Sequence, residues 1–316
     1  MISPMKAALI GSVSSSAATL RGMLRGGLPV AAVCGLHERH AATVSDFHDL
    51  RPLAQQAGVP FLAFDKVTEP AVAEFLRQHQ PDWLFVVGIS QLVPAEIRQL
   101  ARVGAVGFHP TPLPEGRGRA PVAWTILLQK QAAANLFFLT DEADAGDIIA
   151  QRPVPVLPDD YAADLIERTN VVLEQMVVDL APAFASGQVP RTPQDHARAT
   201  YYPRRRPEDG RIDWNQPAEE VYRLIRAVSH PYPGAFTFRG EGRKVIVWRA
   251  SPVDDASMAS QVPRLGPGPV QASPGTVVEV REFRPVVQAA SGRLLLTDIE
   301  VEGGDPAPWT PGERLT

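Results

Sequence analysis

The sequence predicts an α/β protein: an open, mostly parallel sheet covered by helices, followed by a smaller all-β domain of barrel type. Three observations predict it. Short apolar runs alternate with helical stretches through the first half, the pattern of a sheet buried on both faces. A long helix then gives way to a segment rich in proline, arginine and polar residues. Beyond that segment, short strand candidates separated by turn residues suggest a small barrel or sandwich. At 316 residues the chain is long enough for two such domains.

Taken in order, the strand candidates of the first half are Lys6–Ile10, Val30–Leu36, Pro60–Phe64, Trp83–Val87 and Ala105–Phe108. Helical stretches at Ala17–Leu24, Glu69–Gln78 and Ala95–Arg102 lie between them. Two more strands are expected at Ala134–Leu139 and Asp147–Pro155, and a long helix over Ala162–Ala185 closes the first domain. The change of composition spans Gly187–Pro207. It sets a first domain at 1–190, a linker at 191–207 and a second domain at 208–316. There a helix at Ala218–Val228 precedes strands at Ala235–Arg239, Lys244–Ala250, Gly275–Val280, Pro285–Ala289 and Arg293–Glu300. The stretch Ser257–Gly275, crowded with proline and glycine, reads as a mobile excursion.

Bulk properties exclude several classes. A net charge of −4 argues against nucleic acid as the main partner. Cys34 is the only cysteine, which rules out a disulfide framework and a thiolate zinc site, and its context VAAVCGL reads as a buried thiol. No apolar run approaches the roughly 20 residues of a membrane span. The start, MISPMKAALIGS, lacks the apolar region of a signal peptide, so a cytoplasmic protein is expected. A homodimer is left open.

Three segments carry chemistry. The loop GSVSSSAATL, after the first strand, opens a helix whose free N–H groups favour an anion; serine capping and nucleotide phosphate binding are both open there. The densest stretch is GFHPTPLPEGRGRAPVAW, Gly107–Trp124. It sets His109 at the carboxyl end of a parallel strand, where ligands bind in open α/β sheets. Pro110, Pro112 and Pro114 stiffen the following loop, and Arg117 and Arg119 add positive charge on either side of Gly118. The third segment, LTDEADAGDII, carries Asp141, Glu142, Asp144 and Asp147, with Asp144 opening a tight turn. A carboxylate bonded to an imidazole orients it and strengthens it as a base. No metal is expected, because the nearby histidine is needed as that base and no thiolate is at hand.

These clusters resemble the formyltransferases that use N10-formyltetrahydrofolate, of the sugar N-formyltransferase and methionyl-tRNA formyltransferase type. The family pattern is Asn-x-His, a Leu-Pro-x-x-Arg-Gly loop and an Asp-x-Gly turn, matched here by His109, LPEGRGRAPVAW and DAG at Asp144. RRRPEDGRIDW (Arg204–Trp214) and RAVSHPYPGAF (Arg226–Phe236) extend the resemblance into the second domain, where they look like amino-sugar formyltransferases. The resemblance implies a Rossmann-like sheet of formyltransferase fold with a small OB-like barrel. It implies His109 as the general base and Asp144 as the group that holds its tautomer. It further implies folate contacts at Gln91, Leu92, Val93, Arg119, Thr140, Asp141, Glu142, Ala143 and Asp144.

One position departs from the pattern: Gly107 stands where the family has asparagine, a donor to the oxyanion. Losing one such donor commonly costs about 10²–10³ in rate. Thr111, Gln91 or a water are the candidate substitutes. The implied reaction moves a formyl group from N10-formyltetrahydrofolate to a primary amine, with an amino sugar linked to a nucleotide as the first acceptor candidate. Methionyl-tRNA, a modified ornithine or another amino-acid amine are alternatives. A formyltetrahydrofolate hydrolase and a folate binder without turnover remain as other classes. Residues 196–316 hold nearly equal numbers of basic and acidic residues, which gives tRNA little support, although Arg204, Arg205 and Arg206 form either a local basic patch or a solvated linker.

Overall fold

The apolar runs of the first half become strands, and their pairing decides where the ligand-facing loops emerge. The computed structural model describes residues 4–240, 242–253, 272–304 and 308–316. In it, β1 (Ala7–Ile10), β2 (Val30–Leu36), β3 (Phe61–Phe64), β4 (Trp83–Val86) and β5 (Gly104–His109) pair in parallel. Helices α1 (Ser14–Arg25), α2 (Arg51–Gln56), α3 (Pro70–His79) and α4 (Ala95–Arg98) lie between them. The helix expected at Ala95–Arg102 is one turn shorter at its C-terminal end, and α2 had no counterpart among the expected helices. After the two-residue strand β6 (Arg117–Gly118) and α5 (Pro121–Leu127) come β7 (Ala132–Phe138) and β8 (Ile148–Val154). The sheet order is β3-β2-β1-β4-β5-β7-β8. Both late strands run antiparallel to their neighbours. Residues 139–147 return the chain directly from β7 to β8, a connection too short for a parallel crossover.

The sheet reverses its winding between β1 and β4, so the loops after those strands meet at the switch point. Their contact is close: Ser16 Oγ donates to the Val87 carbonyl at 2.6 Å. Gly88 sits at φ +64°, and a Cβ there would lie 2.1 Å from Val13 Cγ2. Beneath lies the core: Trp83, Phe85 and Phe184 pack edge to face, and Trp83 Nε1 donates to the carbonyl of Phe184 in α6 (Ala162–Ser186). Cys34 is fully buried in β2, and burial pushes its thiol up to about 12. A thiol reagent at pH 8 should therefore leave the folded protein unlabelled and react once denaturant unfolds it; rapid labelling without denaturant would contradict this placement.

Contacts divide the chain into two units. The first comprises Met1–Thr125, Gln129–Leu157 and Asp164–Arg204. The second comprises Ile126–Leu128, Pro158–Ala163 and Arg205–Thr316. The stretch 191–204, expected as a linker, is thus part of the first unit. It is ordered by pairing: Thr192 bridges Ile148, and β9 (Tyr201–Tyr202) pairs in parallel with β6.

In the second unit, α7 (Ala218–Val228) precedes β10 (Ala235–Arg239), β11 (Arg243–Pro252), β12 (Val277–Arg281), β13 (Arg284–Gln288) and β14 (Arg293–Val301). These strands pair antiparallel in the order β10-β11-β14-β13-β12. The two edges do not stay open. Leu315 bridges Arg239 in β10, and Arg314 bridges Thr276 before β12, so the C-terminal residues close the sheet into a barrel. Most of the proposed excursion, residues 257–271, lies outside the described residues. Among those described, no helix is long and apolar enough to cross a membrane.

Candidate active site

His109 ends β5, and strand alternation places its side chain on the same face as position 107. It is 5% exposed. Its Nε2 lies 2.8 Å from the Gly116 carbonyl oxygen, which can only accept, so Nε2 carries a proton. The other ring nitrogen, Nδ1, faces Asp144 Oδ2 at 3.6 Å. The Gly116 carbonyl, rather than Asp144, therefore sets the tautomer. The imidazolium form would satisfy both contacts, while the neutral form presents its Nδ1 lone pair towards Asp144.

Asp144 reaches this place through a strained turn. Its backbone sits at φ +55°, a region that non-glycine residues seldom adopt. Its Oδ2 accepts from the Gly118 N–H at 2.8 Å, which ties the acidic turn to the arginine loop. Gly146 allows the close return, since a Cβ there would lie 1.7 Å from the Phe138 carbonyl oxygen.

Sequence reasoning missed what holds these loops. Arg117 is fully buried: Nη1 donates to Glu142 Oε1 at 3.2 Å and to the Tyr201 hydroxyl at 3.0 Å, and Nη2 donates to Gln194 Oε1 at 2.8 Å. It is a structural cation and not one offered to a ligand. Gln194, Thr200 and Tyr201 come from the stretch expected as a linker. The only trace in the sequence was that this proline-rich segment carries side chains able to hydrogen-bond.

The expected folate-contacting residues separate into committed and available groups. Gln91 is committed, its Oε1 accepting from the Val67 N–H and its Nε2 donating to the Asp65 carbonyl. The Val93 side chain is buried in the core, whereas Leu92 between them is 83% exposed. Asp141 pairs with Arg98, Thr140 Oγ1 donates to the Glu142 carbonyl at 2.9 Å, and Ala143 is exposed. Arg119 is exposed, and its guanidinium meets no carboxylate among the described residues. Leu92, Ala143 and Arg119 are thus the free groups.

Around Gly107 the loss of the asparagine side chain leaves no open niche. A Cβ there would lie 2.7 Å from Leu139 Cδ2 and 2.8 Å from Phe137 Cζ, so two apolar side chains fill the niche. Two of the proposed substitute donors are also spent: Thr111 Oγ1 donates to the Glu115 carbonyl at 2.9 Å, and Gln91 is tied as above. The anion reading of the first loop meets a similar obstacle. Asp46 Oδ2 accepts from the Ser14 N–H at 3.2 Å and also from its hydroxyl, so a carboxylate of the chain already occupies the start of α1. Burial pushes the Asp46 carboxyl above its ordinary value, against the lowering effect of those two bonds. In the second unit the family-like stretches hold the barrel together. Trp214 Nε1 donates to Thr237 Oγ1 at 3.0 Å, and Ser229 Oγ donates to the Trp248 carbonyl at 2.8 Å. Arg205 is half-buried and donates to the Asp209 carbonyl at 2.7 Å, whereas Arg206 beside it is exposed.

Residues 5–180 match the family described as formyl transferase, and residues 205–310 match the formyl transferase C-terminal domain. The chain belongs to the formyl transferase family. Solved structures share its fold. HypX from Aquifex aeolicus, in complex with tetrahydrofolic acid, matches with a TM-score of 0.64 and 19% identity over 94% of this chain and 44% of that one. This chain thus spans less than half the length of that protein. WlaRD, a sugar 3N-formyl transferase solved in the presence of dTDP and 5-N-formyl-THF, matches with a TM-score of 0.63 and 14% identity, covering 95% of this chain and 98% of that one. Methionyl-tRNA formyltransferase from Clostridium thermocellum gives a TM-score of 0.54 and 18% identity over 78% of this chain and 93% of that one. The formyl transferase His109 and Asp144 therefore lie within the segment matched by the first family domain.

Proposed function

We propose that this protein transfers a formyl group from N10-formyltetrahydrofolate to a primary amine, with His109 as the base and Asp144 as its charge partner. The observation that carries the reading is the pairing of these two residues at the carboxyl end of β5, at 3.6 Å, inside the matched formyl transferase segment. The free groups fit such a donor. Exposed Leu92 suits the flat ring system, and the unpaired Arg119 guanidinium suits the carboxylates of its tail. When bound, the donor supplies a formyl carbon on a nitrogen leaving group.

The chain's own residues handle the proton. As the amine nitrogen bonds to the formyl carbon it sheds one proton, which His109 accepts at Nδ1, its only ring atom with a lone pair. Asp144 stabilises the positive charge this creates, and the Gly116 carbonyl keeps the Nε2–H fixed. The bond from the formyl carbon to N10 breaks, and the imidazolium returns the proton to that nitrogen. Phe137 and Leu139 fill the space beside Gly107, two residues before His109, with apolar side chains, and an apolar wall there favours transfer over hydrolysis. Within this reading residues 1–190 form the catalytic domain.

The acceptor we infer is an amino sugar linked to a nucleotide, in keeping with the full-length likeness to the sugar 3N-formyl transferase. The likeness to methionyl-tRNA formyltransferase keeps tRNA as the second reading. Calorimetric titration with 5-formyltetrahydrofolate should show saturable binding that Arg119→Ala weakens about tenfold, a loss of about 1.4 kcal/mol. No binding at millimolar ligand would remove the donor assignment. Binding to initiator tRNA should be weak; tight binding that falls steeply with salt would replace the sugar acceptor by tRNA.

A further inference from the structure

The Asp144 carboxylate is aimed by a turn that the chain would not adopt unaided, and one side chain outside both matched catalytic motifs grips that turn. Gln194 is 6% exposed. Its Nε2 donates to the Asp144 carbonyl at 2.8 Å and to the Gly146 carbonyl at 2.7 Å, bracketing the residue at φ +55°. Its Oε1 accepts from Arg117 Nη2 at 2.8 Å and from Nε at 3.3 Å. Every hydrogen-bonding position of the carboxamide is thereby used, and only a group with two N–H donors and an acceptor fits there.

The same stretch of chain grips the other side of the site. Thr200 Oγ1 accepts from the Gly116 N–H at 2.8 Å, and the Thr200 carbonyl accepts from the Arg117 N–H at 2.9 Å. Gly116 is the residue whose carbonyl holds His109 Nε2. One ordered strap, residues 192–202, thus touches the partners of both ring nitrogens. Arg117 connects the two grips through Gln194 at one end of its guanidinium and Glu142 with Tyr201 at the other. A left-handed aspartate persists only where its surroundings over-determine it. Gln194 supplies that constraint.

We propose that Gln194 is a positioning residue: by holding the Asp144 turn against the buried Arg117, it keeps the Asp144 carboxylate facing His109 Nδ1. The proposal rests on the formyl-transfer reading of these two residues, so its test includes a readout that needs no acceptor. The groups facing His109 are the Asp144 carboxylate and the Gly116 carbonyl, while the Arg117 guanidinium is engaged by Glu142, Gln194, Tyr201 and His196.

The test is a double-mutant cycle between Gln194→Met and Asp144→Asn, read by the His109 ring nitrogen NMR resonances at one fixed pH and by steady-state kinetics. Gln194→Met should displace the Nδ1 resonance in the direction that Asp144→Asn does, because the carboxylate is no longer held beside the ring. It should lower kcat by about 10- to 100-fold with KM changed less than about threefold. In the double variant the glutamine change should add almost nothing to the asparagine change, in resonance or in rate. Should Gln194→Met fail to fold because Arg117 loses its acceptor, Gln194→Glu serves: it keeps that acceptor, removes both N–H donors, and should show the same loss of kcat and the same non-additivity. An unmoved Nδ1 resonance in the folded variant, or effects that multiply with Asp144→Asn, would overturn the proposal. Absence of formyl transfer in the wild type would sink the functional reading while leaving the resonance result to decide the role of Gln194.

Discussion

Replacement of His109 by alanine is expected to lower kcat by about 10³-fold, with the protein still folded. General base catalysis by a placed side chain contributes about 10²–10⁴ in rate. The residue's structural duty is small by comparison, a single ring bond to the Gly116 carbonyl at 2.8 Å worth about 1 kcal/mol. Asp144→Asn should cost about 10²-fold and leave donor affinity nearly unchanged. The carboxylate lies 3.6 Å from Nδ1, so its loss should fall on kcat and leave KM nearly unchanged. Steady-state rates, with circular dichroism as the folding control, check both variants. A His109→Ala protein retaining more than a tenth of wild-type kcat would remove histidine as the base.

Restoring asparagine at position 107 should damage the protein instead of improving it. The side chain would enter a niche already filled by Leu139 and Phe137, with its Cβ 2.7 and 2.8 Å from their terminal carbons. Overpacking a strand interior in this way costs about 1–3 kcal/mol, and a polar amide among apolar groups adds to it. Gly107→Asn should therefore lower the denaturant midpoint and lower kcat. Leu139→Ala introduced alongside should recover much of the stability, because Leu139 is only half-buried and its terminal carbon is the nearest obstacle. If the amide can then reach the formyl oxygen, the double variant should turn over faster than Gly107→Asn alone. A stable Gly107→Asn protein faster than wild type would contradict the filled niche and show that the native site simply lacks a donor.

The sheet was legible because a buried parallel strand must be apolar, and β1 to β4 are throughout, as is β5 up to His109. Direction was not legible: the apolar run of β7 looks the same whichever way it lies, yet it runs antiparallel to both neighbours, and the short 139–147 return accounts only for its pairing with β8. The C-terminal closure of the barrel escaped for a different reason. Its backbone bonds, such as those between Phe238 and Thr316, impose no periodicity on so short a segment. His109 and Asp144 stood out because a strand end and a tight turn are marked locally by proline and glycine. Arg117 stood out only as a positive charge and Gln194 not at all, since a buried arginine and an ordered proline-rich strap owe their places to partners remote in sequence. Gly107 was legible as a departure, yet the side chains filling its space come from the paired strand and the residues just after it.

The most direct test follows a labelled formyl carbon. N10-formyltetrahydrofolate carrying ¹³C in the formyl group is mixed with the protein and an amino sugar linked to a nucleotide, and the label is followed by NMR. We expect the signal to leave N10 and reappear as a formamide on the sugar nitrogen, at a rate that depends on the amine and collapses in His109→Ala. Release of the label as free formate at a rate indifferent to the amine would contradict it and mark a hydrolase. A label that stays on N10 while the donor binds, across sugar, amino-acid and tRNA amines alike, would contradict it and mark a folate binder without turnover.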